Sequence, residues 1–387
     1  SRRKLQLINK NYMSHCWVSP VSRTFDIAII GGGNAGLSLA SELSRLNVAK
    51  TVCIFEPAHK LKKELHWSLW TDGNQRQLLN YAVKGSWSQW QLVDYSRSVV
   101  RNSPSFDYTC LSSTKYLSLC ESQLSEKIHI IPEAVESVRR TSSQYIIESG
   151  DQSFSATHVY DSRPPSVRPN SLMQHFLGVE VNIKKPMSAW QIATLMDFRV
   201  NQTRGLHFMY VLPFSSTHLL IESTMISQSL EPQNWYRNAI ERWLAEREII
   251  VESYLSEEVG VIPMDEVVPC DKTIPTIGVA SGALRRSSGY GFSYIQDQAF
   301  RLAQQINQEN YNVPEAISER IVLMDMIFNR VVTEYPEIGP SLFMKLAEAL
   351  NGEQFARFML GRATTFDWVR VIAAMPKIPF LKQLFNV

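Results

Sequence analysis

A short apolar, β-branched run from Phe25 to Ile30 is followed by a glycine cluster and then by helical periodicity from Leu37 to Leu46. A second apolar run, "KTVCIFEP", ends at Glu56. The pattern predicts a strand, helix and strand of about 30 residues, the size of a βαβ unit. The stretch from His66 to Trp90 mixes tryptophans with polar residues and reads as an irregular excursion, whereas Leu117 to Ile131 reads as helix. "KIHIIPEAVESVRR", "QYIIESG" and "SFSATHVYDSRPP" read as successive strands of a small meander that returns to the first lobe.

"GVEVNIKKPM", "RGLHFMYVLPF" and "HLLIESTMI" add strands of a second, mostly β lobe, the last two joined by a turn at Ser215, Ser216 and Thr217. "NWYRNAIERWLAERE" is an amphipathic helix with Trp235, Ile240, Trp243 and Leu244 near one face. "IPTIGVASGALRRSSGYGFSYIQDQAFRLAQQI" reads as a further strand, Gly-rich turn and helix, and the chain is helical from about Glu315 onward. The expected organisation is α/β. A discontinuous nucleotide-binding domain takes residues 24–80, 105–165 and 268–312, an inserted antiparallel β domain takes 81–104 and 166–267, and a helical region takes 313–387.

Composition narrows the function classes. Apolar residues make up 44% and charged residues 20% of the 387, close to ordinary globular domains. A net charge of +2, without a Lys/Arg run interleaved with aromatics, excludes the footprint of a nucleic-acid binder. Cys16, Cys53, Cys110, Cys120 and Cys270 are odd in number and scattered, so neither a disulfide framework nor a metal ribbon is expected, and no metal site is assigned. A reducing, cytoplasmic setting follows. No segment is long and apolar enough to span a bilayer, the first residues lack a signal-peptide core, and Met13 is a candidate start.

The glycines carry the first chemistry. In Gly31-x-Gly33-x-x-Gly36, Gly31 permits the tight turn, Gly33 admits a pyrophosphate to the backbone, and Gly36 lets helix and strand pack closely. Ala35 belongs to the same turn, and the helix N-terminus would face the phosphates. Glu56 stands at a strand end, where it can accept from a ribose hydroxyl. The alternative is a structural turn without ligand. A second Gly-rich junction, "IGVASGALRRSSGYG", and the returning "VYDSRP" favour a long ligand bracketed at two places. FAD is therefore expected, with Asp161, Gly278, Gly282, Gly289 and Tyr290 among its contacts. The alternative for these glycines is that they merely turn the chain.

Taken in order, "FDIAIIGGGNAGLSLASEL", "LHWSLW", "YDSRP", "HFMYVLPFSSTHLLIES", "IPTIGVASGALRRSSGYGFS" and "FARFMLGRATTFDWVRVIAAMPKIPFLKQL" resemble the lycopene cyclase family over most of the chain from Asp26 to Leu384. The family's relatives include the para-hydroxybenzoate hydroxylase and geranylgeranyl reductase flavoproteins. The resemblance implies a para-hydroxybenzoate hydroxylase-like, FAD/NAD(P)-binding Rossmann-like fold. It also implies acid-catalysed closure of carotenoid ends to rings, without net redox change, supported by reduced FAD with NAD(P)H as electron source. Its acidic motif falls on Leu220-Ile221-Glu222-Ser223-Thr224, making Glu222 the catalytic acid. Strand alternation places Leu220, Glu222 and Thr224 on one face and Ile221 and Ser223 on the other. Without the resemblance, Glu222 would read as a solvated outer-face residue.

The chain departs from the family's pattern where a second acid is usual, at Ser223, and where a His-Pro pair is usual, at Arg285-Arg286. A flavin monooxygenase or reductase acting on a lipophilic substrate is accordingly the alternative, with a non-catalytic lipid or pigment carrier as a third reading. Trp67, Ser223 and Thr224 are the expected substrate contacts; Trp67, Trp70, Trp87 and Trp90 serve either to line a polyene tunnel or as core. From Ser341 the chain has six Lys/Arg against three Asp/Glu, with Phe355, Phe358, Met359, Leu360, Phe380, Leu381 and Phe385. This composition suits peripheral contact with a membrane surface and, equally, helices packed on the second lobe.

Overall fold

The structure is a computed structural model that describes residues 21–58 and 63–384. Met13, Cys16 and Phe385, named above, lie outside the described residues.

Ile27, Ala28, Ile29 and Ile30 are all buried, so the first strand, Val21–Ile30, is covered on both faces as parallel strands are. It is central in a six-stranded sheet ordered Ile128–Ile131, Val52–Phe55, Val21–Ile30, Gln152–Asp161, Tyr145–Ser149, Ser137–Arg140. The first four strands pair in parallel and the last three form the antiparallel meander. Helix Asn34–Arg45 and helix Phe292–Asn307 share one core through Leu37, Leu39, Leu43, Leu302 and Ile306. The helix expected from Leu117 to Ile131 is shorter: it spans Ser113–Ser122, and Ile128–Ile131 is a strand. Its β-branched residues find a parallel partner in Val52–Phe55, which outweighs local helical pattern. The run just before the second Gly-rich turn is not a strand; an isolated bridge from Thr276 to Asp161 stands there, followed by a 3₁₀ turn at Gly278–Ser281.

The second large sheet has seven strands, ordered Val251–Pro263, Met173–Ile183, His218–Ser227, Leu206–Pro213, Ile192–Asp197, Gln89–Val93, Ser98–Asn102. One face packs under helix Gln233–Glu246 through Leu177, Val179, Met209, Ile221, Ile240 and Trp243. A three-stranded sheet, ordered His66–Thr71, Asp107–Ser112, Val83–Trp87, adds a third layer. The stretch from His66 to Trp90 is thus ordered into strands and a short helix, Gly73–Leu78 capped by Asp72, rather than irregular. Trp70 and Trp87 are buried on those strands, Trp67 is half-buried, and Trp90 is buried on the adjoining strand Gln89–Val93.

Five helices, Glu319–Glu334, Gly339–Ala349, Gly352–Met359, Thr365–Ala374 and Lys377–Leu384, form the C-terminal region. Phe343, Leu346, Phe355 and Phe358 share a core with Trp90, Leu195 and Phe208 of the seven-stranded sheet. Contact is close enough at Gly352 that a Cβ would lie 1.9 Å from the Asn102 carbonyl oxygen. A buried ion pair ties this region to the second Gly-rich segment. Arg285, 1% exposed, meets Asp325 in a two-bonded fork at 2.9 and 2.8 Å and donates to the Phe358 carbonyl at 2.8 Å. Asp325→Ala leaves this guanidinium buried without its counter-charge and is expected to cost about 3–5 kcal/mol. Urea denaturation checks this, and a loss below about 1 kcal/mol contradicts it.

Candidate active site

One cavity of about 810 Å³ runs between the layers. Gly31, Gly33, Asn34, Ala35 and Glu56 line it from the first βαβ unit, and Trp70, Phe208, Phe343, Phe355 and Met359 line it from the apolar core. Glu222 and Thr224 open into the same space.

At the glycine turn, Gly31 has φ +98°, a conformation that disfavours a side chain, and its N–H donates to the Phe55 carbonyl at 2.9 Å. A Cβ on Gly36 would lie 2.0 Å from the Gly31 oxygen, so helix and strand meet here at backbone distance. A Cβ on Gly33 would meet nothing within 4 Å, leaving the backbone accessible from the cavity. Glu56 accepts from the Gly32 N–H at 2.8 Å and the Ala58 N–H at 2.9 Å. No side chain caps helix Asn34–Arg45 or helix Phe292–Asn307, whose N-terminal residues line the cavity. First-turn N–H groups there are available to an anion. Ser288 Oγ, buried beside the cavity, lacks a protein partner. Together these residues fit an extended dinucleotide.

Not every expected contact borders that cavity. Asp161 turns to Arg163, which it holds at 2.9 and 2.7 Å, and the following Ser162 and Arg163 line the wall in its place. Gly278 and Gly282 adopt φ +69° and +85° and turn the chain, with the Gly278 N–H bonded to Gln298. Gly289 and Tyr290 do line the cavity. The Tyr290 hydroxyl is 2.7 Å from that of Tyr108, which lies 2.8 Å from Tyr210; Tyr210 donates to Ser68 at 2.7 Å. Burial raises all three phenols well above their ordinary range, so this array is neutral. Arg285, paired with Asp325, and Arg286, whose carbonyl accepts from Asn329, do not line the cavity.

The acid sits at a gap in the seven-stranded sheet. Glu222, Gly178 and Glu258 are register partners across three strands. A Cβ on Gly178 would lie 2.7 Å from Glu222 Cγ and 3.4 Å from Glu258 Cγ, so the two carboxyl side chains meet over the glycine. Burial pushes the Glu222 carboxyl well above the usual carboxylate range, with the charge of Glu258 and a hydrogen bond to it acting in the same direction. The Glu258 carboxylate also accepts from the His66 backbone N–H at 3.2 Å and lies 2.9 Å from His66 Nδ1.

Ser223 follows strand alternation to the far face. It is fully buried there, bonded to His207 Nε2 at 2.9 Å, and burial brings the pKa of His207 down to about 4. It therefore does not border the cavity, unlike Thr224, whose Oγ1 is buried without a protein partner. Trp67 and Trp70 line the cavity, whereas Trp87, bonded to the Pro213 carbonyl at 3.0 Å, and Trp90 are core. Among the described residues no group of His, Cys, Asp and Glu is arranged to hold a metal ion. Glu258 and His66 were not singled out by sequence reasoning. Their only signals are alternation within "VESYLSEEVGVIP" and the position beside Trp67 in "LHWSLW", neither of which reveals that they meet.

The fold is shared with solved flavoprotein structures. At 11% identity and a TM-score of 0.61 it is similar to a geranylgeranyl bacteriochlorophyll reductase-like protein from Thermoplasma acidophilum, over 94% of this chain and 99% of that one. A flavoprotein/dehydrogenase from Cytophaga hutchinsonii matches with TM-score 0.61 and 13% identity, over 94% and 100% of the two chains. The family pattern described as Lycopene cyclase protein matches residues 26–385, and the chain belongs to that family. The lycopene beta-cyclase of Pantoea ananas is 23% identical over 385 residues, spanning 93% of this chain and 97% of that protein. That of Pseudescherichia vulneris is 23% identical over 381 residues, spanning 92% and 95%.

Proposed function

We propose that this chain is a FAD-dependent, non-redox cyclase that closes the ends of a linear carotenoid or related polyene into rings. The observation that carries the reading is Glu222, a buried acid of raised pKa opening into a cavity that joins a dinucleotide-shaped turn to an apolar core. Gly31, Gly33, Ala35 and Glu56 hold the nucleotide part, and Ser162, Arg163, Ser288, Gly289 and Tyr290 border its continuation. Reduced FAD, with NAD(P)H as electron source, would supply the electron density that stabilises positive charge in the substrate.

The chain's own residues do the proton chemistry. The Glu222 O–H bond breaks as a C–H bond forms on the terminal alkene, and the resulting cation is attacked by a neighbouring double bond. Loss of a ring proton then leaves the cyclic alkene, so electrons and atoms of the substrate are conserved. Trp67, Trp70, Phe208 and the neutral tyrosine array exclude water and present π faces or lone pairs to the cation. Arg285 is neutralised by Asp325 and so does not oppose positive charge in the cavity.

A lipophilic substrate also accounts for the surface of the last two helices. Phe366, Val369, Ile372, Ile378, Leu381 and Leu384 are exposed alongside Arg370 and Lys377, whereas Phe355, Phe358 and Met359 are core. No helix among the described residues is long and apolar enough to cross a membrane. We assign this patch to peripheral contact with an anionic bilayer. Co-sedimentation with phosphatidylglycerol vesicles is expected, falling at least roughly five-fold in an Ile378→Asp/Leu381→Asp double variant. Equal binding by both proteins contradicts the assignment.

Purified protein supplied with FAD and a reductant is expected to convert lycopene in liposomes to a product of unchanged mass. Glu222→Gln is expected to lower turnover by about 10²-fold or more with FAD still bound. A product heavier by oxygen or altered in hydrogen content assigns the chain to flavin redox chemistry instead, and a normal rate in Glu222→Gln removes it from the mechanism.

A further inference from the structure

Behind Glu222 lies a chain of buried polar groups, of which His66 also borders the cavity. Glu258, on the edge strand, bonds Glu222 on one side and His66 Nδ1 on the other. His66 Nε2 lies 2.9 Å from Lys84 Nζ and 3.4 Å from Glu180 Oε2. Glu180 accepts from Lys84 at 2.7 Å and from Ser256 at 3.1 Å, and its other oxygen lies 2.6 Å from His218 Nε2. The side chains of His66, Glu180 and Glu258 are 2%, 8% and 6% exposed, but Lys84 and His218 reach 21% and 29%. The chain therefore begins at the acid and ends at solvent, assembled from five strands of the seven- and three-stranded sheets.

We propose that Glu258 is the second carboxylate of this site, a positioning residue that acts through Glu222 by exchanging a proton with His66, which Lys84, Glu180 and His218 hold in place from the solvent side. The proposal rests on the reading of Glu222 as the acid. It also accounts for the departure at Ser223: the second acid is supplied from the neighbouring strand, across Gly178, on the face that meets the cavity.

The proton count closes. At rest Glu222 holds a proton and Glu258 is the anion facing it. As the Glu222 O–H bond breaks toward the alkene, the Nδ1 proton of cationic His66 moves to Glu258, whose new O–H donates to the Glu222 carboxylate. Two adjacent bare anions are thereby avoided. When the ring C–H bond breaks, Glu222 takes that proton and Glu258 returns its own to His66.

His66 is suited to the part: burial alone would lower its pKa, but hydrogen bonds to Glu180 and Glu258 and the charge of Glu258 outweigh burial and the repulsion from Lys84, leaving it raised. Burial opposes ionisation of Glu180, yet bonds from His66, Lys84 and His218 hold it well below the usual carboxylate range. Burial keeps the adjoining Cys110 thiol and the Tyr108, Tyr210 and Tyr290 phenols neutral. Phe214 completes the wall, its ring stacked 5.8 Å from His66 and 5.0 Å from Lys84 Nζ.

The test compares wild type, Glu258→Gln, Glu258→Asp and Glu222→Gln as FAD-loaded full-length proteins on lycopene in liposomes, with kcat, KM, melting temperature and the pH profile recorded. Activity needs protonated Glu222 and cationic His66, so it is lost as pH rises through their raised pKa values. Removing the Glu258 charge lowers both, and Glu258→Gln is expected to move the alkaline limb down by roughly one unit or more. The same variant should lower kcat about 10²-fold with KM within about two-fold, and Glu258→Asp should restore part of both effects. If Glu258→Gln fails to fold, His66→Gln is expected to show the same shift of the limb. A wild-type kcat and limb in a folded Glu258→Gln protein, with Glu222→Gln inactive, overturns the proposal; a fully active Glu222→Gln overturns the acid assignment instead.

Discussion

Everything at the site depends on a missing side chain. Gly178 sits between Glu222 and Glu258 in the sheet, and any Cβ there would press on Glu222 Cγ at 2.7 Å. The gap lets two carboxyl groups share one space inside the protein, where water cannot stabilise both as anions. One must keep a proton, and Glu222, whose carboxyl is raised by burial and by the neighbouring Glu258, is the holder. His66, Glu180, Lys84 and His218 then answer the remaining charge. The surrounding apolar layers would otherwise make such a cluster costly.

The layers that enforce this burial come from distant parts of the chain. The small three-stranded sheet brings His66 and Lys84 to the seven-stranded sheet, and the C-terminal helices roof the apolar side of the cavity through Phe343, Leu346 and Phe355. The roof is tied down by Arg285, Asp325 and the Phe358 carbonyl. The arginine that replaces the family's usual histidine is thus an element of that tie rather than a charge in the cavity. Ser223, the other departure, faces a separate core with His207 and Trp235.

The βαβ unit was legible because each part of its signal is local: a strand buried on both faces, a glycine turn and a helix with one apolar face. The face of Glu222 was legible through the period of two, since Glu222 and Thr224 both open into the cavity. The excursion from His66 to Trp90 was misread as irregular because its short strands are stabilised by cross-sheet aromatic packing, which leaves little local pattern. Asp161, Gly278 and Gly282 have residue types suited to ligand contact, but their side-chain pairing and backbone turns serve the chain itself. Glu258 was invisible for a stricter reason: its meeting with Glu222 depends on the register of both strands with Met173–Ile183, and register is a long-range property.

The central claim is that Glu222 carries a proton in the folded protein at neutral pH. Infrared spectroscopy reads this directly, because a protonated carboxyl shows a C=O stretch separate from the carboxylate bands. The account predicts such a band in the wild-type protein at about pH 7, shifted in D₂O and lost in Glu222→Gln. Its absence from folded wild-type protein, or its persistence unchanged in Glu222→Gln, would contradict the account.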